Sequence, residues 1–478
     1  MALIFAAVLL TVIELARYSR IRTNFPPGMI IADVPVGGMD NIRAAERIVQ
    51  AYGIPIEVHY ADSVIQIKPS VIGFDMNLES MLAAADLQRI TQPFWSAYFD
   101  YLFNRLDTPI EVPLVAEISE ERMRAYLRDE VAIRYDLQPV VAMPVPGTST
   151  FDEGVPGKTL DIDRAVILIE EALRSPTNRI VNLTYQQVAP PRPSYDNLRI
   201  QVQQIIDVSG FDGVVELYLL DLETRKELNF AYENGETIQP GISFTAASTM
   251  KIPIMASIYK RVEEPVPDQI TELIELMIEL SQNDPADRLM ETLIDPYLGP
   301  LQITEDLRKL GLENTFLAGM FYQGAPLLVR IETPANTRSD IFTDPDPYNQ
   351  TTSSDMGMLL DDIYQCAEKG GGTFAAVFPD EITQQECQLM ITYLARNKIG
   401  VLLQAGLPDG TRFAHKHGWI QEYDGLIHHM SDAGIVYSPG GNYVITIYLY
   451  NQNQVVFDPT NRLVADISQA IYNYFNLE

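Results

Sequence analysis

Apolar residues recur with strand and helix periods that predict a mixed α/β domain in the second part of the chain. Strand-like runs cover residues 214–222 and 226–232, and a second pair covers 433–437 and 442–450. A short turn separates the members of each pair, as in a β-hairpin. The residues between the hairpins follow mostly helical periodicity, and an amphipathic helix is predicted for 461–475. Strands at both ends with helices between them indicate one sheet assembled from distant segments.

The first part of the chain carries two shorter units that share one pattern. Each unit has a glycine turn, an amphipathic helix and a strand. The helices are expected at 41–51 and 163–173, and the strands at 54–60 and 179–185. We interpret residues 26–188 as one or two small α+β modules.

Clustered prolines mark the expected boundary between the two parts. Pro190, Pro191 and Pro193 fix φ and lack N–H donors, so this stretch favours an extended spacer. We interpret residues 189–197 as a linker and residues 198–478 as the second domain.

The N-terminal residues 2–13 form an apolar run that is shorter than the ~20 residues of a membrane span. The run is similar to the apolar core of a signal peptide or signal anchor, and we assign that role to residues 1–25. Arg17, Arg20 and Arg22 follow the run, although the positive-inside rule favours basic residues before it. The alternative is a buried N-terminal helix.

Charge and cysteine content narrow the function classes. The formal net charge of −30 opposes binding to a phosphate backbone, so nucleic acid is excluded as a partner. The two cysteines, Cys366 and Cys387, exclude a disulfide-dense scaffold and a cysteine-rich zinc site. They form either one bridge outside the cytoplasm or two buried thiols.

Candidate chemistry begins at Ser248-Thr249-Met250-Lys251. On a helix that starts at Ser248, Lys251 lies one turn later on the same face, so its amine can reach the hydroxyl. Burial and neighbouring cations lower a lysine pKa and make the amine a base that activates serine. The chain has no G-x-S-x-G elbow, which argues against the α/β-hydrolase arrangement.

Two later motifs provide suitable companions. Ser281-Gln282-Asn283, expected within a helix over 273–289, offers a second hydroxyl for proton transfer and an amide for a substrate. Lys416-His417-Gly418 precedes the last hairpin. A lysine there can bind a substrate carboxylate, and a glycine allows close backbone approach.

Together the three motifs resemble the S-x-x-K, S-D-N and K-T-G motifs of the penicillin-recognising serine hydrolases, above all class A β-lactamases. The resemblance covers residues 214–478 and implies an antiparallel sheet flanked by helices, the β-lactamase/transpeptidase-like fold. It makes Ser248 the acylated nucleophile, Lys251 its base and Ser281 the proton relay. The implied ligands and donors for the substrate are Asn283, Lys416, His417 and Gly418, with backbone amides of Ser248 and Trp419 as the oxyanion hole.

A fourth element resembles the Ω-loop pattern R-x-E…N of the same family. Arg330, Glu332 and Asn336 match it, which implies that Glu332 activates the water that hydrolyses the acyl-enzyme and that Asn336 lies at the substrate. Two departures concern substrate choice and rate. Gln282 replaces an aspartate, and His417 replaces a hydroxyl residue and could make substrate binding pH-dependent.

The N-terminal modules resemble the peptidoglycan-binding domain found beside VanW-type proteins. The matching residues are Val34-Pro35-Val36-Gly37-Gly38-Met39 and Arg43-Ala44-Ala45. This resemblance implies a hydrolase held at the cell wall.

Histidines near the C-terminus offer an alternative zinc site. His415, His417, His428, His429 and Asp432 lie close in sequence. Lys416 between two of them favours the serine scheme, for which we expect neither metal nor cofactor.

These features predict an exported, membrane-tethered enzyme of the bacterial cell envelope that acts on β-lactams or on D-Ala-D-Ala amides of peptidoglycan stem peptides. A β-lactamase is the first expectation because Glu332 could drive deacylation. A D,D-peptidase is favoured if Glu332 is not near Ser248, and a non-catalytic wall-binding or sensor protein is the third alternative.

Overall fold

The structure is a computed structural model that describes residues 2–91, 93–103, 105 and 111–477. Two compact units make up the chain. One contains Met1–Val140 and Val155–Pro190, and the other contains Val141–Gly154 and Pro191–Glu478.

A six-stranded antiparallel sheet forms the centre of the second unit. Distant segments meet in it, because Val214–Asp221 pairs on one side with its hairpin partner and on the other with Tyr443–Tyr450. This confirms the predicted mixed α/β architecture. In spatial order the strands are Glu236–Ile238, Glu227–Glu233, Val214–Asp221, Tyr443–Tyr450, Ile427–Tyr437 and Arg412–Gln421.

Period-two alternation gives this sheet two buried faces. Val215, Leu217 and Leu219 face a core that includes the last helix, whereas Tyr218 and Leu220 face a second, helix-rich core. The helices Tyr195–Ser209 and Phe457–Phe475 cover the first face. The helices that cover or adjoin the second face are Lys251–Tyr259, Asp268–Glu279, Asn283–Leu293, Gly299–Lys309, Ser353–Lys369, Thr373–Val377 and Gln384–Leu394.

Three short strands lie beside the helix-rich core and support the start of the helix Lys251–Tyr259. Asn349–Thr351 is the central strand, between Phe244–Thr245 and Phe316–Leu317. The predicted helix over 273–289 was wrong in one respect, because it is broken between Glu279 and Asn283. The motif that begins at Ser281 therefore lies in the turn between two helices.

The two cysteines are joined. Cys366 and Cys387 form a disulfide between the helices Ser353–Lys369 and Gln384–Leu394. Of the two alternatives that the sequence left open, the structure has the bridge.

The first unit contains small sheets and helices around two apolar cores. The strands predicted in its two similar units, Ile56–Tyr60 and Ile180–Asn182, pair in parallel, and Ser63–Ile67 completes their sheet. Its other strands are Ile30–Ile31, Val34–Pro35, Phe74–Met76, Glu111–Val112, Ala116–Ile118, Gly157–Leu160 and Tyr185–Val188. Its helices are Ala2–Ile21, Asn41–Tyr52, Leu78–Thr91, Phe94–Leu102, Glu120–Tyr126 (continued as Leu127–Ala132 and Ile133–Tyr135) and Ile162–Leu173.

The N-terminal apolar run lies in the helix Ala2–Ile21, which packs against Phe94–Leu102, where Tyr98 Oη donates to the carbonyl of Thr11 at 3.1 Å. Within the described residues, no helix has the length and apolarity that crossing a membrane requires.

Candidate active site

Ser248 lies in a short 3₁₀ turn, Ala247–Met250, that leads directly into the helix Lys251–Tyr259. Ala247 adopts a left-handed backbone with φ of 48°, a costly conformation for a residue with a side chain. Asn349 holds this turn, since its Oδ1 accepts from the N–H of Ala247 at 2.7 Å. The sequence reasoning missed Asn349.

Lys251 is fully buried, and its amine is surrounded by three oxygens. It donates to Asn283 Oδ1 at 2.7 Å and to the carbonyl oxygen of Ser281 at 3.1 Å, and it lies 2.7 Å from Ser248 Oγ. A neutral amine has two N–H groups and one lone pair. A neutral Lys251 that donates to these two acceptors has its lone pair left for the hydroxyl of Ser248.

The surroundings of Lys251 favour this neutral form. Burial lowers its pKa well below the ordinary value, and the positive charge of Lys416 lowers it further. The carboxylate of Asp287 acts in the opposite direction. Lys251 can therefore accept a proton from Ser248.

Ser281 connects the two lysines. Its carbonyl oxygen accepts from Lys251, and its Oγ accepts from Lys416 Nζ at 2.8 Å. Its backbone is left-handed, with φ of 59°, at the break between the two helices. A hydroxyl in this position can move a proton between the Lys251 side of the site and a leaving group.

Lys416 extends from the edge strand Arg412–Gln421 into the same cluster and is fully buried. Burial lowers its pKa to about 7, and the negative charge of Asp432 opposes that shift. A carboxylate bound beside this amine would favour its charged form.

Gly418 lets the edge strand approach the nucleophile. A Cβ at this position would lie 2.8 Å from the carbonyl oxygen of Ala246 and 3.2 Å from the backbone nitrogen of Ser248. These distances are too short for a side chain, so glycine is required by close backbone contact.

His417 and Trp419 direct their side chains elsewhere. The imidazole of His417 is buried, stacks on Trp419 with 4.6 Å between ring centroids and lies 3.3 Å from the amide nitrogen of Asn397. Trp419 also packs on Phe457. Burial, with smaller effects from Lys416 and other cations, lowers the pKa of His417 to about 2. Burial therefore favours the neutral imidazole, and the pH-dependent binding expected at His417 stays a prediction.

The Ω-loop candidates make no hydrogen bond with Ser248 or Lys251 among the described residues. Glu332 is exposed and makes no hydrogen bond or ion pair within the described part of the chain. Asn336 uses its amide inside the loop, where Nδ2 donates to Ile331 O and to Gln350 Oε1, each at 2.9 Å, and Oδ1 accepts from the N–H of Thr333. The geometry thus gives Asn336 a loop-supporting contact in place of the predicted substrate contact.

Phe321 occupies one side of Lys251 instead. The amine lies 5.2 Å from the centre of the Phe321 ring. The N–H of Phe321 donates to Asp287 Oδ1 at 2.7 Å. No sequence signal marks Phe321. Asp287 could have been identified from the sequence, because it lies four residues after Asn283 on the same helix face.

The C-terminal histidines contact different partners. His415 Nδ1 lies 2.8 Å from Asp432, and His428 Nε2 lies 2.8 Å from Asp424. Among the residues that the structure describes, no three His, Cys, Asp or Glu side chains are grouped to hold a metal ion.

Comparison with known proteins concerns the second unit. Residues 265–475 match the profile of Beta-lactamase2, the β-lactamase enzyme family, a range that includes Ser281 and Lys416 and begins after Ser248 and Lys251. No curated protein matches the chain.

Three similar solved structures illustrate the range of neighbours. PBP-A is 23% identical with a TM-score of 0.41, covering 60% of this chain and 98% of PBP-A. The TLA-1 extended-spectrum β-lactamase is 17% identical with a TM-score of 0.43, covering 58% and 98%. An ancestral class A β-lactamase (GNCA) is 24% identical with a TM-score of 0.39, covering 56% and 98%. The family match and the architecture described above assign the β-lactamase/transpeptidase-like fold to the second unit of this chain.

Proposed function

We propose that the second unit is a serine enzyme that forms an acyl-enzyme at Ser248 with β-lactams or related D-Ala-D-Ala amides. The observation that carries the proposal is the position of the buried Lys251 amine, which lies 2.7 Å from Ser248 Oγ and whose pKa is well below the ordinary value. A serine hydroxyl needs an adjacent base to act as a nucleophile, and a buried neutral amine can be that base where no histidine is present.

In the proposed reaction, Ser248 Oγ attacks the substrate carbonyl and Lys251 takes its proton. The negative oxygen that develops is stabilised by the backbone N–H groups of Ser248 and Trp419. Ser281 gives its hydroxyl proton to the leaving nitrogen, whose bond to the carbonyl carbon breaks, and regains a proton from the protonated Lys251, which returns to its neutral form. The ester on Ser248 is the product of this half-reaction.

Substrate recognition would use the remaining polar groups. Lys416 is positioned to bind a carboxylate, the group that penicillins and D-Ala termini share. Asn283 uses its oxygen on Lys251, and its amide nitrogen has no partner among the described residues, so it can donate to a substrate carbonyl.

We propose a D,D-peptidase or penicillin-binding protein as the form of this activity, with a β-lactamase as the alternative. The reason is that Glu332, the expected base for hydrolysis of the ester, is exposed and makes no hydrogen bond or ion pair with Ser248 or Lys251 in the described part of the chain. An enzyme with slow hydrolysis of penicilloyl esters is inhibited by penicillin.

We further propose that the protein acts in the bacterial cell envelope and that its first unit binds the wall. Support comes from the VanW-associated resemblance at residues 34–45 and from the Cys366–Cys387 bridge, which suits an oxidising compartment. Exposed aromatic side chains, including Trp95 at 61% and Phe103 at 69%, support a membrane-facing surface beside the helix Ala2–Ile21.

Intact-mass measurement after mixing the full chain with penicillin G tests the enzyme proposal, with Ser248→Ala as control. We expect the wild type to gain the mass of one penicillin and the variant to gain none. If the wild type neither gains mass nor consumes several different β-lactams, the acyl-enzyme proposal is wrong and the wall-binding or sensor alternative takes its place.

A further inference from the structure

Hydrolysis of an ester on Ser248 needs a water molecule and a base beside the ester. The water oxygen bonds to the acyl carbon, the bond from that carbon to Ser248 Oγ breaks, and Oγ regains a proton. A base must take a proton from the water as it attacks. The site must therefore leave room for water next to a free acceptor.

Phe321 places an aromatic ring beside the amine that contacts Ser248. Its ring centre is 5.2 Å from the Lys251 amine, which itself lies 2.7 Å from Ser248 Oγ. The aromatic ring accepts no proton, and it excludes water from the volume that it occupies. This side of the nucleophile is apolar.

Among the described residues, Asp287 is the acidic side chain whose charge raises the pKa of Lys251, and its carboxylate is already engaged by the backbone. Only 6% of it is exposed, and its Oδ1 accepts from the N–H of Phe321 at 2.7 Å. Burial raises its pKa to about 6, and the N–H groups of Phe321 and Tyr322 act against that rise. Asp287 thus holds the backbone of Phe321 from a buried position.

We propose that Phe321, positioned over Lys251 by Asp287, excludes hydrolytic water and makes the Ser248 acyl-enzyme long-lived. The inference rests on the proposed acylation of Ser248. It deepens that function by naming the residue that separates a penicillin-inhibited enzyme from one that destroys penicillin.

Phe321→Glu tests the inference, with Phe321→Gln as the matched control. Both side chains remove the ring and have nearly the same shape, but only the glutamate can take a proton from water. The full chain is acylated with penicillin G, excess drug is removed by rapid gel filtration, and the adduct is timed by intact mass at pH 7.5. Acylation and thermal unfolding are recorded for each variant.

We expect the adduct of Phe321→Glu to disappear at least tenfold faster than the wild-type adduct, and that of Phe321→Gln to disappear less than threefold faster. Equal lifetimes of wild type and Phe321→Glu would overturn the inference. A wild-type adduct that is hydrolysed within seconds would overturn it while leaving the acylation of Ser248 intact. Absence of any adduct with any β-lactam would overturn both proposals.

Two substitutions of Asp287 test its positioning role. Asp287→Asn keeps an oxygen that can accept from the N–H of Phe321, whereas Asp287→Ala removes it. We expect the asparagine variant to keep an adduct lifetime within threefold of wild type and the alanine variant to shorten it at least fivefold. A merely structural role would lower the unfolding temperature without this difference in lifetime, and equal lifetimes in both variants would overturn the positioning role.

Discussion

Lys416 lowers the pKa of Lys251 although the two amines belong to different elements of the second unit. Ser281 links them, since its carbonyl oxygen accepts from Lys251 at 3.1 Å and its Oγ accepts from Lys416 at 2.8 Å. Two buried cations disfavour each other, and the pair cannot both be charged without cost. The arrangement favours the neutral form of Lys251, the proposed base.

Removing the charge of Lys416 is therefore expected to shift the pH dependence of acylation. In Lys416→Gln the pKa of Lys251 rises. The amine then stays protonated up to a higher pH, and a protonated amine cannot accept the proton of Ser248. The acidic limb of the acylation rate should move to higher pH by roughly one unit. Rapid-mixing measurements with a chromogenic β-lactam between pH 5 and 10 determine the position of the limb.

Asp287→Asn provides a control with the opposite sign. The charge of Asp287 raises the pKa of Lys251, so its removal should move the acidic limb to lower pH. If both variants shift the limb in the same direction, the titrating group in acylation is not Lys251.

Close packing at Gly418 predicts a strong effect of a single methyl group. In Gly418→Ala the Cβ would lie 2.8 Å from the carbonyl of Ala246 and 2.9 Å from Ser431 Oγ. The edge strand must then move away from Ser248, which misplaces both Lys416 and the oxyanion donors. We expect acylation to fall by at least about tenfold, since misplacement of this size costs up to about 100-fold.

Gly371→Ala is the matched control, because a Cβ there meets no atom within 4 Å and lies far in sequence from the motifs. Acylation by this variant should equal that of the wild type. An unchanged rate in Gly418→Ala would show that the edge strand tolerates a side chain and would refute the close-contact argument.

The sequence predicted the sheet and the central cluster well because both depend on local patterns. Period-two runs identified the strands around 214–222 and 442–450, and the spacing of Ser248 and Lys251 was sufficient to bring them together. Contacts between distant loops carried no such signal. Glu332 matches a sequence motif, but a motif does not show where its loop lies. Phe321 comes close to Lys251 because of the course of a loop, which short-range sequence patterns do not predict.

The orientation of the His417 side chain could not be predicted for a related reason. Strand alternation turns its side chain away from Lys416, and burial keeps the imidazole neutral. A strand pattern shows that neighbouring side chains point to opposite faces of the sheet, but it does not show which of the two faces borders the candidate active site.

The disulfide predicts a measurable contribution to stability. Cys366 and Cys387 are 21 residues apart, and a loop of this size contributes about 3 kcal/mol through restriction of the unfolded chain. The double variant Cys366→Ala with Cys387→Ala should lose about that much free energy of unfolding in urea titrations. Dithiothreitol should destabilise the wild type similarly and leave the double variant unaffected, and an effect of the reductant on the double variant would contradict this assignment.

His429 predicts an acid-dependent loss of stability. It is buried between Phe244 and Tyr450, and burial lowers its pKa from 6.5 to about 3. Between these values the unfolded chain binds a proton that the folded chain does not, so this residue makes the folded state less stable as pH falls. Replacing it by leucine removes this penalty, and the free energy of unfolding of His429→Leu relative to wild type should rise by about 2–3 kcal/mol from pH 7.5 to 4.5.

The neighbouring residue provides a control of opposite sign. The hydrogen bond to Asp424 raises the pKa of His428, so its stabilising contribution is present at acidic pH and is lost as pH rises through the folded-state pKa. His428→Asn should therefore lose stability relative to wild type at acidic pH and differ less from it at pH 7.5. Urea titrations of the three proteins at pH 4.5, 6 and 7.5 measure both effects. Parallel pH dependences of wild type and His429→Leu would mean that the imidazole of His429 takes up a proton in the folded state, contrary to its burial.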